Sequence, residues 1–281
     1  MQKIACLSID MEPDLGRPDQ RICLLDEDDK LETLSSLLRR EAVQLTAFVV
    51  MKHARPYADR LNALARMAEV EFAVHSYSHN QAEPASADEI ERSWDEFCAV
   101  WNCEPRGYRS PNCLIDSGGL QRLAARGYQY DSSITPSIRF DRYGYNHMHL
   151  PRMPFLVEGG EHEILELPIA CLRGAPIPFI LSYVKLFGLG AYRLAVPFLP
   201  LPDVVSCYFH PYDLYASEIA QGIKGWKRYA HLRNSGNAVN LLEGMIKMLK
   251  KQGYQFKLMR DLAQSTMTSD NIPRIAADTI G

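Results

Sequence analysis

Two histidines four residues apart, in His75-Ser76-Tyr77-Ser78-His79, are the part of this sequence best equipped for chemistry. They follow residues 70–74, an apolar run that reads as a buried strand. If the chain turns into helix there, the two rings share a face and can meet on one cation. Imidazole suits zinc and other first-row divalent ions, and a catalytic site of that kind needs a third protein ligand and an open position for water. Taken alone, an H-x-x-x-H pair is as well explained by two loop histidines bonded to backbone. Four other residues give it company: Asp10 and Glu12 near the N-terminus, Arg109 before Ser110-Pro111, and His210 before Pro211. A carboxylate can take a proton from water, an arginine can hold that carboxylate in place, and a histidine can return a proton to a leaving amine. Each also has an ordinary reading, as a turn cap, a surface ion pair or a loop residue.

The elements that must position these residues alternate. Residues 4–9, 45–51, 70–74, 107–110, 128–132, 164–169, 204–209 and 254–258 read as short apolar strands. Helical spacing separates many of them, at 55–68, 117–126 and 238–251 and from Leu31 to Leu38, the last following the acidic run 26–29. Ser86-Ala87-Asp88-Glu89 is a capping box that opens a helix to about Trp101. Such alternation predicts a mainly parallel sheet covered by helices, closed or nearly closed into a barrel. Asp10, His75, Arg109 and His210 all fall at C-terminal ends of expected strands, the face on which barrel enzymes carry their chemistry. Residues 140–163 read as a long irregular insertion whose Phe140, Tyr143 and Tyr145 could line a sugar-binding cleft. The tail from 265 reads as loosely held.

Composition narrows the function classes. The 281 residues carry a net charge of −3, which gives no electrostatic footprint for nucleic acid. Seven cysteines without C-x-x-C spacing argue against a disulfide framework. The N-terminal sequence lacks the apolar core of a signal peptide, so the expected location is cytoplasmic. Residues 175–201 are strongly apolar but hold Lys185, Arg193 and four prolines. They read as a barrel helix with an apolar flank, with a membrane-surface patch as the alternative.

The ordered set Ser8-Ile9-Asp10-Met11-Glu12, His75-Ser76-Tyr77-Ser78-His79, Arg109-Ser110-Pro111 and Phe209-His210-Pro211 resembles the polysaccharide deacetylase family, also called NodB-homology or carbohydrate esterase family 4. The Asp-x-Glu opening, with Trp226-Lys227-Arg228-Tyr229 and Arg233-Asn234, is similar to the branch associated with exopolysaccharide gene clusters. The resemblance implies a distorted (β/α) barrel of about seven parallel strands, a single domain over residues 1–264 with 265–281 as its tail. It implies one divalent metal ion, zinc first, and hydrolysis of N-acetyl groups on amino sugars of a polysaccharide or its lipid-linked precursor. His75 and His79 match the family's histidine ligands, Asp10 its base, Arg109 the arginine that orients the base, and His210 its general acid. The family's third ligand is usually an aspartate directly after the base or two residues on. Met11 follows the base here, so Glu12 takes that role by spacing, with Asp14 as its competitor. A small-molecule amide hydrolase or deformylase on the same fold is an alternative, and so is a non-catalytic carbohydrate-binding relative.

Overall fold

In the computed structural model, which describes residues 2–17, 20–141, 144–159, 161–219, 223–269 and 271–280, strand and helix alternate from the start. The first half runs β1 (Ile4–Met11), α1 (Cys23–Asp26), α2 (Asp28–Glu41), β2 (Leu45–Val49), α3 (Met51–Ala54), α4 (Ala58–Met67), β3 (Val70–Val74), α5 (Ala87–Trp101), β4 (Gly107–Tyr108), α6 (Ser117–Arg126) and β5 (Tyr130–Asp131). Two hairpins follow, β6 (Ile138–Arg139) with β7 (Tyr145–Asn146), and β8 (Phe155–Gly159) with β9 (His162–Glu166). The chain continues through α7 (Leu181–Phe187), α8 (Leu189–Ala195), β10 (Val204–Phe209), α9 (Pro211–Ile219), α10 (Gly225–Leu232), α11 (Ala238–Lys251), β11 (Gln255–Phe256), α12 (Met259–Met267) and β12 (Arg274–Ala276).

Seven strands in the order β10-β1-β2-β3-β4-β5-β9 pair in parallel throughout. Past β9 the chain bridges back to β10 at Ile169 and Ser206, which draws the sheet round into the distorted barrel expected from the sequence. β8 extends the sheet antiparallel to β9, β12 pairs with β8, and β11 adds to β1. From Ala5 onward every residue of β1 is buried, because it is covered on both faces; its first half is accordingly a continuous apolar run, and Ser8 and Asp10 alternate with apolar residues only toward the site. Around the sheet, amphipathic helices turn their apolar stripes inward, as α11 does with Leu241, Leu242, Met245, Ile246 and Leu249. The Ser86 hydroxyl caps α5 by accepting from the Glu89 amide, and Gly127, at φ 111°, ends α6 in the left-handed conformation.

Several expectations need correction. No helix carries His75 and His79: they lie in a loop in which Ser76 and His79 take positive φ, 59° and 61°. The expected helix over 55–68 is the shorter α4, Ala58–Met67, and the expected strand over 45–51 ends at Val49 because α3 begins at Met51. The insertion over 140–163 is less irregular than its composition suggests, since it contains β7, β8 and the start of β9; Tyr143 lies outside the described residues. In place of a single apolar helix over 175–201 stand α7 and α8, parted by Gly188 at φ 88°. The tail is held: β12 pairs with β8, and Ala277 and Ile280 are buried.

Candidate metal centre and catalytic cleft

Strand ends deliver the site. Asp10 is the penultimate residue of β1 and Glu12 follows it; His75 follows β3, Arg109 follows β4 and His210 follows β10. Asp10, Glu12, His75 and His210 open on a cleft of about 480 Å³ whose far wall includes Ile138, Phe140 and Tyr145 from the β6–β7 hairpin, while Arg109 is buried behind Asp10. The packed barrel brings together residues that are up to 200 positions apart.

Glu12, His75 and His79 are buried, and each offers a ligand atom within 4.8 Å of the other two. Oε2 of Glu12 lies 3.2 Å from His75 Nε2 and 2.5 Å from His79 Nε2. Yet neither ring nitrogen of His79 has a hydrogen-bond partner, although both are shielded from solvent. The buried His79 ring and the Glu12 oxygen thus lie close without the alignment of a bond to each other, which suits donors that share a cation. Two imidazoles and a carboxylate form a donor set for zinc or another first-row divalent ion, so the residues present fit the metal. His75 is further fixed by its Nδ1, which donates to the Arg109 carbonyl at 2.8 Å and leaves Nε2 turned to Glu12.

The charges follow from this packing. Burial works to raise the Glu12 pKa, but the His79 and His75 imidazoles outweigh it and hold the carboxyl well below its usual range. Burial pulls His79 down, and the Glu12 charge more than reverses that, so its pKa is raised. Tyr212 donates its hydroxyl proton to Glu12 Oε1 at 3.0 Å. Asp14, the rival ligand, faces elsewhere: Pro13 is extended, and the Asp14 carboxylate accepts from the Cys23 amide at the start of α1 at 3.3 Å.

Asp10 and His210 stand beside the triad. Arg109 donates to Asp10 Oδ1 at 2.7 Å and to the Ser8 hydroxyl at 2.9 Å from the same nitrogen. Its Nε donates to the Ser132 carbonyl and its other terminal nitrogen to the Ser132 hydroxyl, while the guanidinium lies over the rings of Phe48 and Tyr208. This fully buried cation is therefore held on every side and holds Asp10 in turn. Nε2 of His210 is 3.9 Å from Asp10 Oδ2 and 3.9 Å from Glu12 Oε1. Its Nδ1 is 3.0 Å from Asp213 Oδ2, and its ring stacks on Tyr212 at 4.6 Å. Burial alone would lower the His210 pKa; the bond to Asp213 and the Glu12 and Asp10 charges raise it to about 9. An imidazolium held this way presents Nε2–H to the cleft, and Asp10 presents a free carboxylate oxygen beside it.

Three supporting residues escaped the sequence reading. Asp213 and Tyr212 follow His210-Pro211 directly, and the spacing His-Pro-Tyr-Asp was a signal within reach, since an aspartate three residues on can turn back to the histidine. Glu89 was legible only as a cap. Its carboxylate accepts from the amides of Tyr77 and Ser78, at 2.9 and 2.8 Å, and from the Ser78 hydroxyl at 2.5 Å, tying α5 to the histidine loop. Cys113 lines the cleft, its sulfur 3.8 Å from the Tyr208 hydroxyl. All seven cysteines are free.

A polysaccharide deacetylase family model matches residues 16–130, a segment that contains His75, His79 and Arg109 and leaves Asp10, Glu12 and His210 outside it. No curated protein matches the chain. Among solved structures, a protein from Mycobacterium smegmatis ascribed to the polysaccharide deacetylases superposes with a TM-score of 0.63 at 16% identity, covering 98% of this chain and 94% of that one. The Xyl-CE4 domain of a multidomain xylanase from the hindgut metagenome of Trinervitermes trinervoides gives 0.51 at 15%, covering 98% and 97%. A CE4 family pseudoenzyme from Bacillus anthracis gives 0.52 at 13%, covering 98% of this chain and 67% of that one. The matched segment supports the polysaccharide deacetylase family, and the superpositions show the fold.

Proposed function

We propose that this chain is a polysaccharide deacetylase that uses one divalent metal ion, zinc first, to hydrolyse N-acetyl groups on amino sugars of a polysaccharide or its lipid-linked precursor. One observation carries the reading: Asp10 and His210 flank a buried Glu12-His75-His79 donor set at the mouth of a single cleft. A metal bound there would polarise the amide carbonyl and bring the pKa of a bound water toward neutrality. The chain's own residues do the rest. Asp10 accepts the proton of the attacking water through the oxygen that Arg109 leaves free, and Arg109 keeps that carboxylate aimed. His210, protonated and held by Asp213, donates from Nε2 to the departing amine. The Asp10-Met11-Glu12 opening supports the exopolysaccharide-associated branch. A cytoplasmic location and peripheral contact of residues 175–201 with a membrane belong to the same reading, and no helix among the described residues is long and apolar enough to cross one.

A pseudoenzyme among the fold neighbours shows that the barrel alone does not make a catalyst. The deciding experiment measures acetate release from N-acetylated amino-sugar oligomers and lipid-linked sugars by metal-loaded protein. Asp10→Asn keeps the shape of the site and should lose about 10²–10⁴ in rate, as losing a general base does. Equal release by both proteins removes Asp10 from the mechanism. No release by metal-replete wild type on any N-acetylated glycan moves the assignment to a small-molecule amide hydrolase or a binding protein.

A further inference from the structure

The described surface carries one concentration of exposed aromatic and aliphatic side chains, on α7 and on the two helices that pack against it, α8 and α10. Trp226 is 68% exposed, Leu194 76% and Phe198, just past α8, 84%; Phe187 and Tyr229 are also exposed. Side chains this large are seldom left so open unless something covers them. On α10 no described residue is buried, so the helix is laid on the surface with Trp226 and Tyr229 against each other at 5.1 Å. The two stretches that carry these rings hold charge of one sign. Residues 174–202 contain Lys185 and Arg193, residues 223–240 contain Lys224, Lys227, Arg228 and Arg233, and neither stretch contains an aspartate or glutamate. The chain as a whole is acidic, so the basic patch is local. Lys185 turns inward to Asp213, whereas Lys224, Arg228 and Arg233 are exposed.

We propose that this face docks the protein on an anionic lipid surface. Trp, Tyr and Phe beside Lys and Arg are the side chains that settle at the headgroup boundary, apolar rings inward and cations against lipid phosphate. A second copy of the chain is a poor occupant, because a two-fold contact would set basic residues on basic residues with no acid in either stretch to answer them. The face also adjoins the cleft: Tyr183 lines the cleft and lies 6.0 Å from Phe187 on the same helix. Docking through α7 and α10 therefore holds the cleft mouth beside the bilayer. This deepens the membrane contact named above by assigning its face and its lipid charge, and it does not depend on the deacetylase chemistry.

Co-sedimentation of the whole protein with vesicles tests the proposal. Wild type should bind phosphatidylcholine vesicles that contain phosphatidylglycerol, bind pure phosphatidylcholine weakly, and come off in high salt. Each basic residue near an anionic bilayer adds about fivefold to partitioning, so the double variant Lys224→Glu, Arg228→Glu should bind at least about 25-fold more weakly. Trp226→Ser with Phe187→Ser should lower binding without removing its salt dependence, and the Trp226 emission should shift to the blue in wild type with vesicles. Unchanged melting temperature and metal content in both variants show that the fold is kept. Failure of wild type to bind at low salt overturns the proposal, and so does equal binding by wild type and both variants. A lipid-free dimer in sedimentation velocity that the Trp226→Ser, Phe187→Ser variant abolishes would make the face a self-interface instead. No catalysis enters the assay, so its failure leaves the deacetylase reading standing, and failure of acetate release leaves the docking result standing.

Discussion

At the scale of single residues the site rests on which carboxylate joins the two histidines. Glu12 sits between the His75 and His79 rings, and Asp14 is occupied by the Cys23 amide. His75→Ala with His79→Ala should abolish stoichiometric metal by elemental analysis, Glu12→Gln should lose most of it, and Asp14→Asn should retain it. Metal lost in Asp14→Asn but kept in Glu12→Gln would reverse the assignment. Arg109→Lys keeps a charge but not the fork that reaches Ser8, Asp10 and Ser132 together. It should cost activity, yet less than Asp10→Asn or His210→Ala, in the same acetate assay.

At the scale of elements, two buried acids do work that has no metal in it. Glu89 anchors the histidine loop to α5, so Glu89→Gln, which gives up acceptor capacity to the Tyr77 and Ser78 donors, should weaken metal binding about 10–100-fold while leaving the ligands themselves intact. Competition with a chelator measures this, and unchanged affinity would reduce Glu89 to a cap. Glu166 ends β9 beside Asp131 of β5, both fully buried. Burial pushes the Glu166 pKa well above its usual value, and the Asp131 charge adds to that. A carboxyl whose pKa is higher folded than unfolded contributes stability that is fully present below its unfolded pKa, about 4.3, and is lost as pH rises through the folded value. Wild-type stability should therefore decline as pH rises from about 4.3 to the folded value and level off above it. Glu166→Gln, which still can donate to Asp131 and accept from the Ile134 amide, should flatten the decline in denaturant midpoints measured across pH. Parallel pH profiles for the two proteins would count against Glu166 as the source of the decline.

At the scale of the molecule, the chain's last segment completes the sheet. Leu156 donates its amide to the Pro273 carbonyl at 2.8 Å, β12 pairs with β8, and Ile280 is buried. Truncation after residue 268 should uncover the β8 edge and the pocket that Ile280 fills, costing about 2 kcal/mol or more from the isoleucine alone. A thermal melt equal to that of the full chain would show that the tail adds nothing.

Local chemistry made much of this readable in advance. Apolar runs ending in Asp10, His75, Arg109 and His210 announced strands, and a parallel barrel puts all such ends on one face, so their shared face followed from periodicity while their proposed roles came from the family resemblance. The capping box at Ser86 and the Gly127 stop were legible for the same reason, since each is settled within a few residues. What only the tertiary structure decided depends on contacts between distant segments. A helix was the obvious way to bring two histidines together, yet positive φ at Ser76 and His79 does it, and such a turn is stabilised by Glu89 from another element rather than by the loop's own sequence. Glu12 rather than Asp14 faces the histidines because the start of α1 offers Asp14 an amide. The tail's place in the sheet depends on the exposed edge of β8, more than a hundred residues away in the chain, which no local pattern records.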